Sequence, residues 1–142
     1  MILSGIEAAS KGVDSEEASE GGLDIAKKLA KALNTVVAIT GVTDYISDGE
    51  NTIVINNGHE MLTKVTGTGC MSTCLVGTYA GVTKDYLIAA AAGIATMGIC
   101  GEKAYERLDD KLGNGSFKVY LMDNVFNFTE KDFEKRGKID ER

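Results

Sequence analysis

Apolar residues recur with helical spacing in the segment that ends at Asn34. They fall on one face of a helix: Leu23, Ile25, Ala26, Leu29, Ala30 and Leu33. Asp14 or Ser15 is suited to the N-cap, and Asn34 is suited to the left-handed residue that follows a helix. The pattern predicts an amphipathic helix up to Asn34, and a shorter helical pattern precedes it over residues 2–9.

Residues 35–40 form a continuous apolar run that is rich in β-branched side chains. Such a run is typical of a strand covered on both faces in a parallel sheet. Residues 44–47 and 52–56 predict two short strands around Asp48-Gly49-Glu50-Asn51, and an Asp-Gly pair between strands is a strong hairpin signal. We therefore expect a parallel sheet that also carries a β-hairpin.

Two helices of small apolar residues are expected between residues 71 and 108. The first covers residues 71–80, and the second is capped by Asp85 and runs to about residue 108. Met97 in this second helix and Met122 further on fall on apolar helix faces. Both methionines are therefore expected in the core.

Two shorter helices are expected near the carboxy terminus. Ser116 is a candidate N-cap for a helix over residues 117–128, and Thr129 with Asp132 resembles a capping box for a last helix. The charged residues after Arg136 are expected to fray. A strand, a hairpin and flanking helices together indicate an α/β layered fold.

Composition and charge narrow the classes of partner. The chain has 142 residues, 44% of them hydrophobic, and a net charge of −6. This acidity argues against nucleic acid and anionic membranes as partners and favours small molecules or proteins. The most apolar stretch, over residues 87–100, is too short to span a bilayer. No targeting segment is expected, and three cysteines suggest reduced thiols in the cytoplasm.

The segment with the clearest chemical signal is Thr66-Gly67-Thr68-Gly69-Cys70. Its glycines let the backbone take conformations closed to other residues, and they let a phosphate approach the amides. Amides at the start of a helix bind an anion, and the helix dipole there would lower the pKa of a thiol at Cys70. The loop is no Walker motif, because no Lys-Ser/Thr pair follows it. A tight turn before a helix is the plain alternative.

At this loop the chain resembles a known family. The run Val65-Thr66-Gly67-Thr68-Gly69-Cys70, with Asn57-Gly58-His59 ahead of it, is similar to the signature of hydroxyethylthiazole kinases. That family has the ribokinase-like fold and works in thiamine salvage. Further matches follow in the family's order: residues 11–15, residues 38–41 with Asp44-Tyr45, and residues 115–117.

The resemblance implies ATP-dependent phosphorylation of the hydroxyl of 4-methyl-5-(2-hydroxyethyl)thiazole, with Mg²⁺. Thr40 matches a position that contacts ATP, and Gly67 matches one that contacts the thiazole. Thr68 and Gly69 belong to the same anion loop. Cys70 takes the place where sugar kinases of this fold carry the aspartate that acts as general base. The resemblance also implies a trimer with active sites between subunits.

The resemblance covers only the carboxy-terminal half of the family's length. A substrate-contacting Met, an Arg that contacts ATP and an Asn-x-x-Glu motif tied to Mg²⁺ would all lie upstream of Met1. The metal ligands therefore stay unknown, and residues 1–142 are expected to be the second half of a ribokinase-like domain. Without the first half, an exposed sheet edge and apolar face are expected to make the chain self-associate.

Other interpretations remain open at this point. A different ribokinase-like enzyme, such as a hydroxymethylpyrimidine kinase or a nicotinamide-nucleotide-hydrate dehydratase, usually has Asp where Cys70 stands. A catalytically incomplete anion- or nucleotide-binding fragment is the alternative from another class. Zinc at Cys70 and Cys74 lacks further ligands nearby. His59 is expected to cap or orient the chain before the loop.

Overall fold

The computed structural model describes residues 18–142 and their side chains from residue 21 onward. The expected helix over residues 2–9, the N-cap at Asp14 or Ser15 and the family match at residues 11–15 lie outside the described residues. The elements follow in this order: α1 Ala18–Leu33, β1 Val37–Ile39, β2 Asp44–Ser47, β3 Thr52–Ile55, a 3₁₀ helix Glu60–Lys64, α2 Thr68–Ala80, α3 Tyr86–Glu106, α4 Asn114–Phe126, α5 Glu130–Arg136 and β4 Ile139–Glu141.

The sheet has four strands in the order β1-β2-β3-β4, and every neighbouring pair is antiparallel. The α/β class with flanking helices is confirmed, but the expected parallel sheet is wrong for the described residues. Only residues 40–43 connect β1 to β2. A parallel neighbour needs a crossover of about a dozen residues or more, so this short link leaves only the antiparallel arrangement.

Burial on both faces occurs in β2 and β3 rather than in β1. All residues of β2 and β3 are buried, whereas Ala38 in β1 is exposed. One face of the inner strands packs Tyr45 and Val54 against Ala26 of α1. The other face carries the isoleucines of β2 and β3, which pack against the alanines and Ile94 of α3. The continuous apolar run over residues 35–40 therefore predicted a strand correctly, but its expected burial on both faces is wrong for β1.

The predicted hairpin between β2 and β3 is confirmed. The Asp48 carboxylate accepts hydrogen bonds from the backbone N–H groups of Glu50 (2.8 Å) and Asn51 (2.7 Å). Gly49 has φ +102°, in the left-handed region that glycine adopts without strain. The turn therefore has the residues that its geometry requires.

The carboxy-terminal tail does not fray as expected. Ile139–Glu141 forms β4 and pairs with β3, and the Arg142 N–H donates to the Thr52 carbonyl at 2.8 Å. The side chains of β4 are exposed, so its charges remain in water while its backbone pairs with the open edge of β3. The charged residues of this segment are exposed, as their charge indicates, but the segment is an ordered strand and not a frayed end.

Three helix boundaries agree with the local signals in the sequence. Asn34 has φ +50° directly after α1, as expected for the residue that follows a helix. The Asp85 carboxylate accepts from the Ile88 N–H at 3.0 Å and caps α3. The capping box of Thr129 and Asp132 is present at the start of α5.

Two expectations about α4 are wrong. The helix begins at Asn114 after the N-cap Gly113, so Ser116 lies inside its first turn and does not cap it. Met122 is exposed on this helix, whereas Met97 of α3 is buried in the core as expected. Phe117 and Leu121 form the inward side of α4 instead, where they pack against the carboxy-terminal half of α3.

Helix α3 is the central helix of this part of the molecule. Among residues 18–142 it is the one helix long and apolar enough, by length and composition, to cross a membrane. Most of it is buried between the sheet, α2 and α4, and core helices of folded domains have the same composition. Its apolar character is therefore accounted for by packing within the protein.

Candidate active site at the glycine loop

The chain from β3 to α2 passes through a short 3₁₀ helix and then the glycine loop. His59 caps this 3₁₀ helix, since its Nδ1 accepts a hydrogen bond from the Met61 N–H at 3.1 Å. This confirms that His59 orients the chain ahead of the loop. Val65, which follows the 3₁₀ helix, is buried and anchors the start of the loop in the core.

Gly67 is the N-cap of α2 and has φ +97° and ψ −1°. This left-handed conformation favours glycine, because a Cβ would be strained there. A Cβ on Gly67 or on Gly69 would meet no atom of the described residues within 4 Å, so the described part of the chain leaves the space in front of both residues open. The loop therefore has a free approach on its outer side.

The first turn of α2 begins directly after Gly67, beside this open space. No side chain of the described residues caps the helix. The N–H groups of the first residues of a helix have no carbonyl partner within it, and together with the dipole they attract anions. Thr68, Gly69 and Cys70 occupy these positions. The arrangement is chemically suited to a phosphate oxygen.

The Thr68 side chain holds the loop in place. Its hydroxyl donates to the Leu62 carbonyl at 3.0 Å, and the Val65 carbonyl lies 3.3 Å from the same oxygen. Both bonds tie the start of α2 back to the preceding segment. Thr68 can therefore offer its backbone N–H to an anion while its hydroxyl is used within the loop.

The three cysteines lie in different environments. Cys70 is exposed in the first turn of α2, and Cys74 is exposed one turn later. Cys100 is buried in the core, and burial raises the pKa of its thiol to about 12. Only Cys70 combines an accessible thiol with the open end of the helix.

No metal site is formed by the described side chains. Within residues 18–142 there is no group of three or more His, Cys, Asp or Glu side chains that could hold an ion. Among the described residues, no further side chain joins Cys70 and Cys74 in a group that could hold zinc. The described residues likewise offer no cluster that fits Mg²⁺.

Thr40 directly follows β1, and it lies at the end of the sheet where the carboxyl ends of β1 and β3 both lie. Both strands run antiparallel to β2 and hence in the same direction. The Thr43 hydroxyl donates to the Asn56 side-chain oxygen at 2.9 Å, and this bond joins the segment that follows β1 to the segment that follows β3. Thr40 is exposed, and the chain that leads to Gly67 starts from this same end of the sheet.

Asp44 is a residue at this end of the sheet that sequence reasoning did not single out as functional. Its carboxylate accepts from the Gly41 N–H at 2.9 Å and so fixes the turn directly after Thr40. Burial raises its pKa to about 6, against the opposing effect of the Gly41 hydrogen bond. An aspartate at the first position of a short predicted strand was the available signal.

The contact of Asn114 with the segment before the glycine loop was also not predicted from the sequence. Its side-chain N–H donates to the Lys64 carbonyl at 3.1 Å, so the start of α4 holds the end of the 3₁₀ helix. Fifty residues separate the two partners. Nothing local in the sequence pointed to this pairing.

Comparison with known proteins gives one family. Residues 1–131 match the model of the hydroxyethylthiazole kinase family. The hydroxyethylthiazole kinase of Alkaliphilus oremlandii is 53% identical over 138 residues, covering 96% of this chain and 51% of that protein. The one of Clostridium beijerinckii is 46% identical over 145 residues, covering 99% of this chain and 52% of that protein. The chain thus spans about half the length of the curated relatives it matches.

A solved structure agrees with these relatives. The hydroxyethylthiazole kinase protein from Pyrococcus horikoshii OT3 matches with a TM-score of 0.80 and 38% identity, covering 89% of this chain and 48% of that chain. Both the sequence and the arrangement of elements therefore point to the same group of proteins. The chain belongs to the hydroxyethylthiazole kinase family.

Proposed function

We propose that the protein carrying this chain transfers the terminal phosphoryl group of ATP to the hydroxyl of 4-methyl-5-(2-hydroxyethyl)thiazole in thiamine biosynthesis or salvage. The observation that carries this proposal is the uncapped, open start of α2 at Gly67. Phosphoryl transfer depends mainly on positioning and on stabilising charge, and backbone N–H groups at a helix start serve both purposes. Family membership selects the thiazole as substrate.

Each site residue has a proposed role. Thr40 contacts ATP at that end of the sheet, and Gly67 contacts the thiazole. Gly69 and the Thr68 backbone hold the phosphate, and Cys70, as the thiolate, accepts the proton of the attacking hydroxyl and becomes the thiol. The exposure of Cys70 and the open space before Gly67 and Gly69 support these roles.

ATP and Mg²⁺ are the proposed cofactors. In kinases the metal ion neutralises charge on the phosphates. The described side chains form no cluster that would hold it, so none of them is proposed as a ligand. Two of the acids serve as helix caps instead: Asp85 at α3 and Asp132 at α5.

The chain is proposed to be the second half of a ribokinase-like domain that acts in the cytoplasm as a trimer. Its coverage of 51% and 52% of its relatives supports the first part. The exposed apolar side chains of α4 are compatible with association: Val119, Met122 and Phe126. Analytical ultracentrifugation of the protein at family length would test the trimer, and a monomer would reject it.

The decisive assay measures ATP-dependent phosphorylation of hydroxyethylthiazole by the 142-residue chain and by a version at family length. Turnover of the thiazole is expected in the longer protein. Phosphorylation of hydroxymethylpyrimidine instead would favour the other ribokinase-like kinases. Binding of nucleotide by the short chain without turnover would support the incomplete fragment, which its half-length coverage favours as a second candidate.

Cys70→Ala at family length is expected to lower kcat by about 10- to 100-fold without abolishing it, because positioning by the loop remains. Cys74→Ala is the matched control, since Cys74 is equally exposed one turn along the same helix. The measurement is the steady-state rate against thiazole concentration. Unchanged turnover in Cys70→Ala would remove the proposed role of the thiol as a base.

A further inference from the structure

The segment that leads to the glycine loop, residues 56–65, lies along one face of α3 and is called the loop segment below. A Cβ on Gly98 would come within 2.6 Å of the Asn57 carbonyl oxygen, and one on Gly101 within 2.9 Å of the Leu62 side chain. Both distances are shorter than real Cβ contacts, so the two glycines allow the segment to approach the helix closely. The contact is continuous from the end of β3 to the 3₁₀ helix.

An aromatic stack continues the same contact one turn further along α3. The rings of His59 and Tyr105 lie parallel, with centroids 3.6 Å apart. His59 also caps the 3₁₀ helix through its Nδ1. Its ring therefore links the cap of that helix to α3.

Glu102 supplies the charged contact on this face. One carboxylate oxygen accepts from the Gly58 N–H (3.0 Å), from the Asn57 side-chain N–H (3.2 Å) and from the Lys138 ammonium (2.9 Å). The Glu102 side chain is only 13% exposed. A shielded carboxylate makes stronger hydrogen bonds than one in water.

Asn57 connects the same contact to the carboxy-terminal strand. Its side-chain N–H also donates to the Arg136 carbonyl at 2.8 Å, and its side-chain oxygen accepts from the Lys138 N–H at 2.8 Å. Asn57 is buried. Glu102 is therefore the point where α3, the loop segment and the approach to β4 are joined.

We propose that Glu102 is a positioning residue for phosphoryl transfer, acting through Gly58 on the glycine loop. This inference rests on the proposed kinase function. Gly58 has φ +144°, at the bend where the chain leaves the sheet. From there the chain runs through the 3₁₀ helix to Gly67 without a further bend at positive φ. Releasing Gly58 shifts the amides that face the phosphate, and small misplacements slow transfer strongly.

The alternative is that Glu102 only stabilises the fold, and α3 offers a matched control for it. Glu106 lies one turn further on and makes a bidentate ion pair with Arg136 at 2.7 and 2.9 Å. Both glutamates tie α3 to the carboxy-terminal segment. Among the described residues, only Glu102 also bonds the loop segment at Gly58.

The experiment compares Glu102→Ala, Glu102→Gln and Glu106→Ala in the protein at family length, through kcat, KM and hydrogen exchange of residues 58–64. Glu102→Ala is expected to lower kcat by about 10- to 100-fold with a smaller change in the KM for thiazole, and to speed exchange. Glu102→Gln keeps an acceptor for the Gly58 N–H and is expected to restore most of the rate. Glu106→Ala is expected to leave both measurements near those of the unsubstituted enzyme.

Other outcomes would overturn the inference. Equal losses in Glu102→Ala and Glu106→Ala would mean general stabilisation, and faster exchange with unchanged kcat would mean a tether without catalytic effect. If Glu102→Ala does not fold, Glu102→Asp keeps the charge beside Lys138 but draws it back from Gly58, and unchanged kcat there would reject the proposal. Absence of thiazole turnover in the unsubstituted enzyme, with exchange still dependent on Glu102, would reject the kinase function separately.

Discussion

At the scale of single residues, Asp44 combines burial with a charge. It lies at the start of β2 with 7% of its surface exposed, and it accepts a hydrogen bond from the Gly41 N–H. Burial raises its pKa from 3.8 to about 6. The folded protein therefore holds a proton on Asp44 at a pH where the unfolded chain has lost it.

This difference predicts a pH dependence of stability. Between about pH 4 and pH 6 the folded state binds more protons at Asp44, so the free energy of unfolding falls as pH rises through this window. Asp44→Asn keeps an oxygen for the Gly41 N–H and removes the charge. We expect the variant to gain stability relative to the natural chain as pH rises from 4.5 to 7.5, by about 2 kcal/mol.

The measurement is urea unfolding of both chains at the two pH values. Asp24→Asn on the exposed side of α1 is the control, and it is expected to change stability equally at both. A stability difference between Asp44→Asn and the natural chain that does not vary with pH would contradict the burial of a charge at this position.

At the scale of elements, α2 and α3 pack so closely that one glycine decides their separation. A Cβ on Gly93 of α3 would lie 2.5 Å from the Val76 backbone nitrogen of α2. The obstacle is backbone rather than a flexible side chain, so the helices would have to move apart. A Cβ added to Gly77 of α2 would meet no atom of the described residues within 4 Å.

The pair of glycines predicts effects of opposite sign. Gly93→Ala is expected to destabilise the chain by about 1–3 kcal/mol, because the core is overpacked. Gly77→Ala is expected to be neutral or stabilising by up to about 1 kcal/mol, because alanine is the better helix former. Thermal or urea unfolding of the two variants measures both. A stable Gly93→Ala would mean that α2 is free to shift.

The same scale shows which elements the sequence could predict. The ends of α1 and α3 and the box at Thr129 agree with their local signals, because caps join residues only a few positions apart. β4 was missed, because its partner β3 lies more than eighty residues earlier. A charged segment gives no sign of such a pairing in its own pattern.

At the scale of the whole molecule, exposed apolar surface remains on the described part of the chain. On α4 the residues Val119, Met122 and Phe126 are exposed, and Phe126 is 89% accessible. The outer edge of β1 has no neighbouring strand among residues 18–142. Apolar stripes and open strand edges promote association.

We therefore expect the 142-residue chain to self-associate in solution. Phe126→Lys is expected to reduce this association without changing stability, because the side chain makes little contact within the fold. Lys118→Glu is the control, since it changes charge at another exposed position of α4 but removes no apolar surface. Sedimentation velocity over a range of concentrations measures the change. A monodisperse monomer of the unsubstituted chain would contradict the expectation.

The sequence by itself determined the features that depend on neighbours in the chain. These are the helix boundaries at Asn34, Asp85 and Thr129, the Asp48-Gly49 hairpin and the glycine loop at Gly67, where a left-handed residue precedes α2. Local hydrogen bonds and steric limits act over a few residues, so the residues that cause them stand close together in the sequence and can be recognised there. The motif around Cys70, together with the further matches along the chain, also identified the family.

Only the tertiary structure decided the features that depend on distant partners. The pairing of β4 with β3 follows from how the strands meet. The Glu102 carboxylate bonds Gly58 across 44 positions of the sequence, and the burial of Asp44 requires the finished core. Such contacts form between surfaces that exist only after folding, so no local pattern encodes them.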